Sequence, residues 1–176
     1  EDGEMRIIGI EGTVSLRINL YEEEELNLLE DLYSLEQKVS YQTREAVYEE
    51  LLLQNQSKCK IVENLSLPEL KDDVLQICHS SGSVQIEHVE TRAEKQGGIL
   101  IEGILHVSFL YLKADDALPF GNWQGMVPFS YLLECPDMPK DVRYQLSNRV
   151  EQISVTMTGS DSVEVKAVLD FDVFLR

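Results

Sequence analysis

Three histidines, His79, His88 and His106, and three cysteines, Cys59, Cys78 and Cys135, are the first places to look for chemistry in this chain. Cys-x-x-Cys or His-x-x-x-His pairs would support a metal site, and neither spacing occurs. His88 and His106 come near each other only if their strands pair. Cys78 and His79 are neighbours, so on a helix their side chains diverge and make no nucleophile–base couple. No Gly-x-Ser-x-Gly elbow and no phosphate loop is present. Among 32 acidic residues a chance carboxylate pair carries no weight for glycosidase chemistry. The sequence therefore predicts a non-enzymatic protein: no catalytic residue, no metal site, no cofactor.

Four aromatics, Phe120, Trp123, Phe129 and Tyr131, are the interaction candidates. Trp123 is the single tryptophan and lies beside Asn122 and near Gly121 and Gly125. Large aromatics mostly end in a core. An exposed one anchors a protein or a glycan. The residues alone leave both readings open.

Composition narrows the partners. The formal net charge is −17, which disfavours nucleic acid, whose phosphates need a basic face. It disfavours an anionic membrane surface equally. The charge serves solubility, or offers an acidic surface to a basic partner. Hydrophobic residues make up 43% of the 176, enough for a core. The longest apolar run carries Glu102 and His106, so no membrane-inserted segment is expected, and no signal-peptide pattern is read. An odd number of scattered cysteines points to free thiols in a reducing compartment.

The elements that must position these residues follow from periodicity. In Ile99–Leu112 every second residue from Ile99 to Tyr111 falls on one face, as in a strand. Gln96-Gly97-Gly98 predicts a tight turn, making residues 83–112 a β-hairpin. Met126–Cys135, Gln145–Met157 and Val163–Leu175 read as further strands, the last with Asp170 and Asp172 outside. Residues 39–53 and 58–67 read as two strands about the polar turn Gln54–Ser57, and residues 5–21 as another half-buried strand. Residues 22–36 change to a helical period behind four glutamates, which suit a helix N-terminus. Glu69–His79 predicts a short helix and 114–125 a loop.

Residues 8–20 lie over 163–175 without a gap, and all seven inward positions agree in character, from Ile8 with Val163 to Leu20 with Leu175. This suggests the last strand of one repeat followed by a complete second unit. Leu67-Pro68 with Val74-Leu75, the run Ile101–Tyr111, Val127-Pro128-Phe129-Ser130 with Glu134, and Val150-Glu151 through Val163–Val173 together resemble the SPOCS domain. That domain recurs in spore-coat and cortex morphogenetic proteins of spore-forming Firmicutes, often with a C-terminal LysM module, which here would lie beyond Arg176.

The expected fold is mainly β: an antiparallel β-sandwich-like domain with one or two short helices, preceded by a strand-helix remnant of a neighbouring repeat. Residues 1–38 would be that strand and acidic linker helix, and 39–176 the complete domain. The resemblance implies a structural scaffold domain of the spore envelope, acting by protein–protein interaction with other spore-envelope proteins, with self-association compatible. It implies a cytoplasmic place on the mother-cell side, at the forespore surface. The alternative is a carbohydrate-binding module for peptidoglycan or exopolysaccharide that uses Trp123.

Overall fold

The computed structural model describes residues 9–18, 20, 22, 24–47, 50–71, 73–93, 97–114, 117–136 and 138–176. The chain divides into two units, Glu1–Ala46 and Val47–Arg176.

In the second unit six strands follow one another: β1 (Leu53–Ser66), β2 (Val74–Arg92), β3 (Gly98–Lys113), β4 (Phe120–Glu134), β5 (Tyr144–Met157) and β6 (Ser162–Leu175). They form two antiparallel three-stranded sheets, ordered β1-β6-β5 and β2-β3-β4. The fold is mainly β, as the alternation predicts. The central strands β3 and β6 carry the core. Ile99, Ile101, Leu105, Val107, Phe109 and Tyr111 are buried on β3, and Val163 through Leu175 at every second position on β6. Each fully buried Leu, Ile, Val or Phe side chain contributes roughly 1.5–3 kcal/mol of transfer free energy. At one side the sheets come together, where Ser80 Oγ donates to the Ile153 carbonyl of β5 at 3.4 Å.

Several expectations within this unit fail. Glu69–His79 is not a helix: a 3-10 turn at Pro68–Leu70 leads directly into β2. The reason lies in two register shifts, between Val74 and Gln76 and between Ile77 and His79. Each bulge adds a residue to the strand. Val74, Ile77 and Ser80 therefore turn inward at a spacing of three, which imitates a helical period. Ser80, Ser81 and Gly82 are mid-strand. A Cβ on Gly82 would lie 2.7 Å from Ile153 Cδ1, so glycine lets β5 come close. Neither the strand over 39–53 nor the turn at Gln54–Ser57 is present: β1 is one strand that begins at Leu53, and the described residues from 39 to 52 form no strand. β1 is an edge strand, where polar side chains stay wet. Phe120–Gly125 is strand rather than loop, paired with Leu112–Val107 of β3. The 83–112 hairpin is present and begins earlier, at Val74. Gln96 of its predicted turn lies outside the described residues.

The first unit holds no helix or strand among its described residues. This corrects both the strand over 5–21 and the helix over 22–36, so far as they fall on described residues; 1–8, Asn19, Tyr21 and Glu23 lie outside them. The inward positions of the alternating run are open, from Ile10 at 90% exposure to Leu20 at 92%. A strand needs a partner for its N–H and C=O groups, and an isolated helix of about 15 residues is marginal without a packed face. Among the described residues no helix is long and apolar enough to cross a membrane.

Candidate interaction surfaces

Strand β4 carries all four candidate aromatics, and parity separates them. Trp123, Phe129 and Tyr131 stand on its inner side. Phe129 is buried, with its ring centroid 6.1 Å from that of Phe171. Tyr131 stacks on Phe171 at 5.6 Å. Trp123 is half-buried, stacked on Phe109 at 5.1 Å, and its Nε1 donates to Glu69 Oε1 at 3.1 Å. A Cβ on Gly125 would lie 2.0 Å from the Trp123 ring, so glycine makes room for it. Phe120 alone stands outside, 60% exposed.

The outer face of β2-β3-β4 is open, with apolar and polar side chains interleaved. Met126 is 63% exposed, and Leu110 and Leu132 are exposed as well. A concavity of about 500 Å³ crosses the sheet at Ser83, His106 and Met126. The strands of His88 and His106 do pair, but His88 faces Glu102 and His106 faces Ser83. The two histidines are thus four residues apart along β3, roughly 13 Å at the strand rise. His106 Nε2 is 3.2 Å from Gln85 Oε1. Among the described residues no three His, Cys, Asp or Glu side chains are grouped to hold a metal. All three cysteines are free thiols, and burial pushes the Cys59 thiol up from its ordinary pKa.

A different arrangement occupies the outer face of β1-β6-β5. Asp170 lies on the outward side of β6, as its parity predicts, yet it is only 3% exposed. Gln56 Nε2 of β1 donates to its Oδ2 at 2.7 Å, and Arg149 Nε of β5 donates to the same oxygen at 2.8 Å. Oδ1 is buried and has no hydrogen-bond partner. The Gln56 hydrogen bond, followed by the hydrogen bond and charge of Arg149, holds the carboxyl below its ordinary 3.8 against the opposing effect of burial. Lys58, opposite Asp170 in register, turns instead to Glu151 Oε1 at 2.6 Å. A concavity of about 450 Å³ lies over this cluster.

Residues 73–158 match the family model described as SipL, SPOCS domain. This segment is similar to the SPOCS domain, the family that the sequence resembles. The SPOCS match runs from the start of β2 through the end of β5, a shorter span than the 65–175 that the resemblance suggests. It contains the whole β2-β3-β4 sheet; β1 and β6, which complete the other sheet, lie outside it. No curated protein and no solved structure matches the chain. The Asp170 cluster straddles the SPOCS boundary, since only Arg149 falls within it. Sequence reasoning passes over this cluster because its members lie 114 and 21 residues from Asp170 and no local pattern joins them.

Proposed function

We propose that this chain is a non-enzymatic structural domain of spore-envelope assembly, which works by binding other envelope proteins. One observation carries the reading: the SPOCS segment builds a sheet whose outer face is left open with apolar side chains on it. Exposed apolar side chains among polar ones on an open sheet face give a partner protein something to cover, and Phe120 and Met126 are the most exposed of those on β3 and β4. The net charge of −17 favours a partner with a basic surface. The domain would act on the mother-cell side, at the forespore surface. The glycan-binding reading stands second, because Trp123 is stacked on Phe109 rather than presented to solvent as a platform.

The test is a fluorescent fusion of the full-length protein followed through engulfment, with a pull-down from the same sporulating cells. A shell around the forespore and recovery of envelope proteins are expected. Replacing Phe120 and Met126 together by Asp should abolish both and leave the fold intact. Diffuse signal with no envelope protein retrieved, and normal spores on deletion, would sink the proposal.

A further inference from the structure

The outer face of β2-β3-β4 is complementary to itself. We propose that a second copy of this chain stacks on it face to face, about a two-fold axis at Ile104; this rests on the reading of that face as the docking surface and names its occupant.

Ile104 lies near the middle of the face, between Gln85 of β2 and Pro128 of β4 in register. Its same-face neighbours on β3 are Glu102 on one side and His106 on the other. A two-fold lying between the faces and across the strands reverses the strand direction. It sets His106 of one copy over Glu102 of the other, twice. An imidazole N–H then meets a carboxylate, where two like groups flanking Ile104 would meet their own kind. Packed sheets cross at about 30°, so register is kept best in these two pairs, about 7 Å from the axis. Shape agrees. Beyond His106 the concavity of about 500 Å³ is lined by small residues, Ser81, Gly82, Ser83, Ser108 and Gly125. The same two-fold lays Leu100 and Leu132 of the second copy over it. These leucines are cross-strand partners and form a ridge, with Leu132 38% exposed. Each copy thus offers a ridge to the hollow of the other.

The area suffices. From Leu100 to Leu112 the face is about 40 Å long at the strand rise and about 14 Å wide over three strands. Stacking covers about 600 Å² on each copy, on the order of 1,200 Å² in all, where stable interfaces begin. Charge permits the contact although each copy carries −17. At the outward register positions the charged residues are Glu90, Arg92, Glu102 and Glu134, and Glu90 pairs with Arg92 at 3.0 Å. Glu87 stands in the bulge before His88. Glu102 is the carboxylate nearest the axis, and the two-fold gives it a histidine. Around it the row Ile104, Pro128 and Met126 is uncharged, and sparse charge in the centre of a patch is the compositional mark of an interface.

The test is analytical ultracentrifugation of the full chain from micromolar to millimolar concentration. A monomer–dimer equilibrium is expected. His106→Glu sets carboxylates over carboxylates and should weaken the dimer about tenfold or more. Glu102→Lys sets ammonium groups over the imidazoles and should weaken it about threefold or more. The two together restore opposite charges and should return the affinity to within about threefold of the parent. Leu132→Ala lowers the ridge and should cost about fivefold; with Glu102→Lys it keeps the test open if His106→Glu misfolds. Lys60→Glu, on the other sheet, should change the affinity by less than about twofold. A monomer at every concentration, or a dimer that the double variant fails to restore, would overturn this mode of association. A monomer whose fluorescent fusion still forms a shell around the forespore would overturn it and leave the envelope role standing, with a different protein on the face. A dimer restored by the double variant, with a diffuse fusion, would support it and sink the envelope role.

Discussion

At Asp170 a single carboxyl joins three strands, because Gln56 of β1 and Arg149 of β5 both hold it on β6. Its folded pKa is depressed, which fixes the sign of its effect on stability. A depressed carboxyl stabilises the fold above its unfolded value, and that contribution fades as pH falls through the folded value. Asp170→Asn removes the charge without changing the shape. It should therefore lower stability at pH 7, with the gap from the parent narrowing below the ordinary 3.8. Urea unfolding at neutral pH and at pH 3 would show this; a gap that stays constant with pH would refute the linkage. Trp123 supplies a second check, since it is the only indole. In Gly125→Ala the new Cβ would stand 2.0 Å from the ring. The ring must leave Phe109, so emission should move to longer wavelength. Stability should drop by about 1–3 kcal/mol, the usual cost of overpacking.

Among the elements, legibility followed the number of covered faces. β3 and β6 are central strands whose inner side chains meet the opposite sheet, and alternation gave every inward position from Ile99 to Tyr111 and from Val163 to Leu175. β2 was misread at its start because bulges at Val74/Gln76 and Ile77/His79 break the period of two that a strand reading requires. β1 was misread because it lies at an edge, where Gln54–Ser57 can be polar without leaving the sheet. The Asp170 cluster was not legible at all: it exists only once β1 and β5 flank β6. The same contrast between centre and edge predicts mutational cost. Phe171→Ala, in a fully buried position stacked on Tyr131, should cost about 3–5 kcal/mol. Phe120→Ala, at an exposed edge position, should stay within about 0.5 kcal/mol. Urea midpoints of the two variants measure the difference, and equal losses would contradict the assigned core.

For the whole molecule, the two units differ in how their backbone groups are satisfied. In Val47–Arg176 each strand lies in a ladder, and further bonds such as Leu67 N–H to the Asp161 carbonyl at 2.6 Å tie the loops to it. The described part of Glu1–Ala46 has no such ladder, although its alternating apolar residues repeat the pattern of β6. The difference is one of partners rather than of composition. β6 is flanked on both sides and buries seven apolar side chains, whereas the same pattern over 8–20 holds no strand among the described residues. Amide protection requires a hydrogen bond that opens only on unfolding. Exchange followed by mass spectrometry should therefore show peptides from 24–46 fully deuterated at the earliest times. Peptides from β3 and β6 should exchange last, at the rate of global opening. Slow exchange over 24–46 would mean that these residues hold a hydrogen-bonded structure after all, and with it the acidic helix that their periodicity predicts.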